Sequence, residues 1–459
     1  MIHDVVIVGA GVAGAALAAR LGRAGRRVVL LERDLRPPDL FVGELLQPGG
    51  ARSLEALGLL GCVEGIDAQR TRGFAVIHGE EQRALAYPDA THGVRGRPVE
   101  GYAFHHGRFV ARLREAATQA PGVELRCGTA SELLRTGGTS DAPVSGVLYR
   151  DREGREQRVP AKVVVAADGR SSRLRRCVGA EPPARLSYSI GVLLRGIALP
   201  HPQHGHVFVT QPAPILGYQI GSDEVRLLVD VPGDLPGGRS DGLVQYLRTV
   251  TAPQLPEPLR GGLLATLDSG ELPRVMPTYA LAPRPVRWPG LVLLGDALNM
   301  RHPVTGGGMT VALNDVCLLA EALVAVAPDD GAATERAIAR FYDARRPLAL
   351  TIDGLAGALY EVFRADQPGL ERMRAAMMRY WQLGGVAAAG PMALLSGLSP
   401  RPALLLLHYT AVALLGVGGS LVPVPGVHVG GAPDVRGAAQ VAHAAYKTLE
   451  PQLRRALAH

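Results

Sequence analysis

Three turns rich in glycine and aspartate hold the residues whose types and spacing could do chemistry. Gly9, Gly11 and Gly14 follow the apolar run at residues 5–8 and precede a good helix former. In a G-x-G-x-x-G turn the first glycine allows a tight bend. The second lets backbone approach a pyrophosphate, and the third lets helix and strand pack closely. The helix that opens there offers unpaired N–H groups and partial positive charge to phosphates. Glu32 ends the next apolar run, 18 residues beyond Gly14, where a carboxylate can accept from ribose hydroxyls. The second turn closes the run at 163–167 with Asp168 and Gly169, then small polar residues and Arg173. It suits a turn near phosphates and equally a helix cap. In the third, a buried-type strand ends at Asp296, and Gly306, Gly307 and Gly308 open a helix from Met309 to about Val326. Its carboxylate suits flavin ribityl hydroxyls, and its helix N–H groups suit negative charge on a flavin pyrimidine ring. The first turn's place at the very N-terminus favours FAD over NAD. No Ser/His/Asp or Cys/His hydrolase arrangement is visible. Cys62, Cys127, Cys177 and Cys317 are scattered without ligand spacing, so a reducing compartment and no metal site are expected.

These turns need elements to hold them. Residues 4–35 read as strand, turn, helix and strand, a βαβ unit. From 107 to 180 an α/β rhythm continues, with a polar hairpin turning near Glu153 and Gly154 and a buried strand at 163–168. Between 185 and 285 short β-like runs separated by Pro and Gly predict an antiparallel sheet. Parallel-strand texture returns at 291–296, so the first domain is discontinuous. The expected fold is α/β, with a Rossmann-type FAD-binding domain, an inserted antiparallel-sheet substrate domain and a C-terminal helical, membrane-associating region. The FAD-binding domain takes residues 1–75, 102–184 and 290–345. The substrate domain takes 76–101 and 185–289, and the C-terminal region takes 346–459.

Composition narrows the function classes. Of 459 residues 47% are apolar and 20% charged, which supplies a large core and excludes wholesale disorder. Aromatics are only 5% and no Arg-rich block stands apart, so nucleic acid is not an expected partner despite the net charge of +7. Lys162 and Lys447 are the only lysines among 49 basic residues, which fits a biased genome or attraction to an anionic membrane or dinucleotide. The N-terminus runs straight into its first strand, so neither a secretory signal nor an N-terminal anchor is expected. From residue 380 to 433 the only charged side chain is Arg401. Pro400, Pro402, Pro423, Pro425 and clustered glycines interrupt this stretch. It therefore reads as two short apolar helices dipping into one leaflet, or as a buried helical cap.

Four strings narrow the reading further: 42–50 (VGELLQPGG), 104–109 (FHHGRF), 295–309 (GDALNMRHPVTGGGM) and 358–363 (ALYEVF). Together they resemble the squalene monooxygenase (squalene epoxidase) family, within the FAD-dependent aromatic-hydroxylase-like flavoprotein monooxygenases. Weaker similarity runs from 383 to 400. The resemblance implies FAD contacts at Val12, Ala13, Glu32, Arg33, Arg108, Asp168, Asp296 and Met309. It implies an active-site tyrosine at Tyr87 that hydrogen-bonds Gln47, although a Tyr before Pro is by itself more often a packed loop residue. Tyr218, Pro303, Val304, Phe363 and His408 would line a long apolar substrate cavity; by residue type alone His408 also reads as a satisfied core histidine. Two positions depart from the family pattern. Leu40 replaces a basic residue, and Leu45 replaces an aromatic.

The reaction so implied is epoxidation of a long polyene, squalene to 2,3-oxidosqualene, through a C4a-hydroperoxyflavin formed with O2. No second Rossmann fingerprint for NADPH is present, so the resemblance implies electrons from a partner NADPH-dependent reductase. The expected location is the cytoplasmic face of a membrane, held peripherally or monotopically. Rival readings are oxidation of another polyprenyl or terpenoid metabolite, a flavin-dependent prenyl reductase, and a flavin- or lipid-binding protein with a dead site.

Overall fold

The apolar run at 5–8 forms the body of the strand His3–Val8, and Val6 and Ile7 are wholly buried. Burying such side chains stabilises the fold by roughly 1.5–3 kcal/mol each. Helix Val12–Arg23 and strand Val28–Glu32 complete the expected βαβ unit. The computed structural model describes residues 2–88, 99–139, 142–237, 241–421 and 434–457.

In the first sheet the strands run in the order Val123–Cys127, Val28–Glu32, His3–Val8, Glu156–Ala166, Val144–Arg150, Thr129–Arg135, with Leu291–Leu293 also paired to Glu156–Ala166. The late strand therefore joins the N-terminal unit, with Val164 opposite Leu291 and Val165 opposite both Ile7 and Val292. Glu156–Ala166 serves both halves of the sheet. Its first part forms the predicted hairpin with Val144–Arg150, antiparallel, and its last part lies parallel to His3–Val8. Three strand ends, at Val8, Ala166 and Leu293, thus finish side by side. Each of the three turns singled out above leaves from one of them.

A second seven-stranded sheet contains Arg274–Ala280, Ala184–Arg195, Glu224–Pro232, Ile215–Gly221, His204–Phe208, Gly73–His78 and Glu81–Ala86, in that order. It departs from the expected antiparallel pattern at one pair, because His204–Phe208 lies parallel to Gly73–His78. The two strands come from far apart in the chain, so no hairpin constrains their direction.

The C-terminal helices pack on the open face of this second sheet. Phe74, Val76, Val207 and Leu228 from the sheet share an apolar core with Phe363, Met373, Trp381 and Tyr409. The proline-rich stretch behaves differently from expectation. Gly385–Leu395 is short, but Pro402–Leu421 is one unbroken helix of 20 residues, long and apolar enough to cross a membrane. Pro402 begins this helix, where a missing N–H costs nothing. Pro423 and Pro425 lie outside the described residues. Only 33% of the helix's most apolar 18-residue window is buried, and Leu407 and Leu414 are about two-thirds exposed.

Candidate functional site

The three turns meet at one cleft of about 460 Å³. Gly11, Val12 and Ala13 line it from the first turn, and Asp168 from the second. Asp296, Gly308 and Met309 line it from the third. Arg33 stands at its rim, and Tyr218, Pro303 and Val304 line it toward the second sheet. Leu40 and Leu45, the two departures, also face it.

The local backbone explains this convergence. Gly9 takes φ +101°, and a Cβ there would sit 2.3 Å from the Ala167 carbonyl oxygen, so only glycine lets the first two turns touch. The helices Val12–Arg23 and Gly308–Val324 are both capped by glycine, at Gly11 and Gly307, with no side-chain cap. Their first N–H groups have no intrahelical partner and are free for a ligand. A Cβ built on Gly11 or on Gly308 would meet nothing within 4 Å. Both helix mouths therefore keep space that a bound group can fill.

The polar groups fit a dinucleotide. Asp168 serves as a cap, Oδ2 accepting from the Arg173 N–H at 2.8 Å, while its Oδ1 is buried without a partner. Asp296 is open to the cleft and enclosed by protein elsewhere. That enclosure pushes its carboxyl up, opposed by Arg301, Arg170 and Arg175. Arg33, Arg170 and Arg301 line the cleft and make it attractive to a diphosphate. The donor set fits FAD, since helix N–H groups suit its phosphates and flavin ring and carboxylates suit its hydroxyls.

Other predicted residues stand behind the lining. Gly14 packs against Gly9, and Gly307 against Ile352. Glu32 accepts from the Ala10 N–H at 2.7 Å and so braces the turn. Arg108 lies apart, on the exposed side of helix His106–Thr118, where it contacts the Ile66 carbonyl at 3.4 Å. The Tyr87 hydroxyl donates to Gln47 Oε1 at 2.6 Å, and Gln47 Nε2 donates to the Thr305 carbonyl at 2.6 Å. Burial pushes the Tyr87 phenol far above its ordinary value, so it stays protonated. Tyr87, Tyr218, Val304 and Phe363 belong to one apolar core. His408 lies beyond the cleft, its Nδ1 2.7 Å from the Tyr380 hydroxyl and its Nε2 buried without a partner.

Sequence reading missed several contributors. Arg114, six residues past Arg108 and so on another face of the helix, bonds the Ala10 carbonyl at 2.7 Å and approaches Glu32 at 3.4 Å. Arg175 ties the second turn to the third, donating to the Arg170 carbonyl at 2.8 Å and the Ala297 carbonyl at 3.2 Å. Glu44 and Arg226 form a buried two-pronged pair, 2.8 and 3.1 Å, with Glu44 on the cleft wall. Burial pushes the Glu44 carboxyl up, against the pull of Arg226. Its sequence signals were its place in the 42–50 string and a carboxylate set between apolar residues. His106, also on the wall, bonds the Gly43 carbonyl, and burial lowers its pKa so that it is neutral.

Comparison with known proteins gives concordant matches. A family model described as squalene epoxidase matches residues 160–430, and one described as an FAD binding domain matches 3–226. Squalene epoxidase 3 of Arabidopsis thaliana is 46% identical over 427 residues, spanning 92% of this chain and 80% of that protein. Squalene monooxygenase of Mus musculus is 41% identical over 418 residues, spanning 90% and 71%. Among solved structures, a probable FAD-dependent monooxygenase from Pseudomonas aeruginosa matches with a TM-score of 0.66 and 26% identity, covering 79% of this chain and 97% of that one.

Proposed function

The chain belongs to the squalene epoxidase family, and from that membership we propose that it converts squalene to 2,3-oxidosqualene with FAD held in the cleft. Squalene, O2, NADPH and H+ give the epoxide, water and NADP+. One observation carries the reading: a cleft with two glycine-capped helix mouths at one end is walled at the other by Tyr218, Pro303 and Val304, against an apolar core. FAD supplies the oxygen-activating chemistry when bound. The chain's own residues do the rest. Gly11 and Gly308 open the helix mouths to its phosphates and ring, and Asp168 and Asp296 accept from its hydroxyls. The apolar wall keeps water from the reacting atoms. The substrate has no charged handle, so the shape of the chamber must orient it.

Tyr87 and Gln47 brace that chamber. Through Gln47, the Tyr87 hydroxyl holds the Thr305 carbonyl, and so the approach to the triple glycine. Tyr87→Phe leaves Gln47 Oε1 buried and unpaired, at a cost of about 1–3 kcal/mol. The expected result is a large loss of turnover with FAD retained; unchanged turnover would remove Tyr87 from the site.

The second sheet serves as the substrate domain, residues 185–289 with the 76–101 segment. Phe363 and His408 extend its chamber toward the C-terminal helices. Those helices lie monotopically in the cytoplasmic face of a membrane, which delivers the polyene directly. Electrons come from a partner NADPH-dependent reductase, so the isolated protein oxidises NADPH slowly. The deciding experiment supplies squalene, reductase, NADPH and 18O-labelled O2 to the reconstituted protein. One labelled oxygen at the terminal double bond supports the reading. A saturated product, an alcohol or no product overturns it.

A further inference from the structure

Residues 300–302 form a partition with open space on both sides. Met300, Arg301 and His302 line the cleft and also line a second cavity of about 420 Å³. Leu281, Ala356 and Tyr360 contribute to the far walls of that cavity. Met300 and His302 are themselves buried, but a cavity on either side removes part of the packing that would fix the segment's position. Polar clamps hold it instead. Met300 and Leu281 exchange backbone hydrogen bonds of 2.9 and 3.0 Å. Arg301 pairs with Asp353, and Asn299 donates to the other Asp353 oxygen at 2.9 Å.

His302 is held on three sides. Its Nδ1 accepts from the Val304 N–H at 3.2 Å, which leaves Nε2 as the protonated nitrogen. Nε2 then donates to Asp230 Oδ1 at 3.1 Å. Asp230 also accepts from the Ser187 hydroxyl and, at 2.7 Å, from the Tyr360 hydroxyl. The Tyr360 ring stacks on the imidazole with centroids 3.9 Å apart. Ser187, Asp230 and Tyr360 come from two strands and a helix far apart in the chain, so only the closed tertiary structure builds this lock.

We propose that His302, locked by Asp230 and Tyr360, is a positioning residue that fixes the Pro303–Val304 wall against the FAD cradle and so keeps oxygen activation coupled to alkene oxidation. The proposal rests on the epoxidase reading above. The lock lies directly upstream of the wall, of the Thr305 carbonyl that Gln47 holds, and of the glycine-capped helix mouth. Without it the partition has room to move toward the second cavity. A displacement near 1 Å can cost on the order of a hundredfold in rate. Activated oxygen is then lost as peroxide: O2, NADPH and H+ give H2O2 and NADP+, with squalene untouched.

His302→Asn is the sharpest variant. An asparagine oxygen can still accept the Val304 N–H in an Asx turn, but its side chain is too short to reach Asp230. Tyr360→Phe removes a single hydroxyl and decides the matter if the first variant fails to fold. Both are expected to hold FAD with an altered visible flavin band, to release several-fold more peroxide per NADPH, and to lose kcat with little change in KM, His302→Asn more than Tyr360→Phe. A residue with a merely structural role would lower the melting temperature and leave the flavin band and peroxide yield alone; that result overturns the proposal. If the wild-type protein forms no labelled epoxide, the substrate reading fails, while the flavin band still decides the lock.

Discussion

The turns at Gly9–Gly14 and at Gly306–Gly308 look alike in sequence, and each leaves a helix mouth open to the cleft, yet their glycines face different neighbours. In the first turn the neighbours are backbone: a Cβ on Gly14 would lie 1.9 Å from the Gly9 carbonyl oxygen. In the second they are side chains: a Cβ on Gly307 would lie 2.5 Å from Ile352 Cγ2, and one on Gly306 2.9 Å from Leu45 Cδ2. Backbone anchored at a strand end has little freedom to move, whereas a side chain can give by a few tenths of an ångström. The first turn is therefore a fixed seat, and the second is an adjustable one that reports on the packing behind it.

Breaking the seat should have the largest effect. Gly14→Ala is expected to destabilise the fold by about 3 kcal/mol, from forced overpacking against backbone, seen as a lower melting temperature and loss of bound FAD. A wild-type melting temperature in that variant would erase the contrast. Next come Gly11→Val and Gly308→Val, whose side chains would enter open space. Both should fold normally and bind FAD at least ~10-fold more weakly, about 1.4 kcal/mol, measured by flavin fluorescence titration. Equal affinity would mean that these mouths do not face the cofactor.

Gly307→Ala should cost less, roughly 1–2 kcal/mol, because Ile352 can yield. Pairing it with Ile352→Ala, which removes the contacting Cγ2, should recover part of that loss in a double-mutant cycle, and strict additivity would show that the two do not touch. The smallest effect lies at the far end of the first strand. Burial raises the Asp4 carboxyl, but the Arg27 backbone N–H and guanidinium together with Lys162 outweigh it, holding its pKa at about 2 against an ordinary 3.8. Its contribution is present above about pH 3.8 and is lost as pH falls through 2. Asp4→Asn should flatten the urea midpoint over that interval only.

Legibility followed the range of the interactions involved. The βαβ unit, the three turns and the return of a late parallel strand were readable, because apolar periodicity and glycine spacing act on neighbouring residues. The Tyr87–Gln47 bond came from the family resemblance rather than from residue type. Arg114 was invisible because any of the arginines on helix His106–Thr118 could have faced the glycine turn. The partition at 300–302 lies inside the 295–309 string, where residue types give no sign that cavities flank it. Proline content alone predicts a broken tail, but the effect of a proline depends on its helix position, and Pro402 stands where a helix starts.

By itself the sequence determined the three cleft-lining turns, the helix mouths and the apolar character of the tail. Each depends on backbone conformations that a few adjacent residues dictate. Tertiary structure alone decided which polar groups meet: Glu44 with Arg226, Arg175 across the two aspartate turns, and His302 with Asp230 and Tyr360. These partners are separated by tens to hundreds of residues, and their energy depends on distance and burial that exist only once the sheets and helices have closed around them.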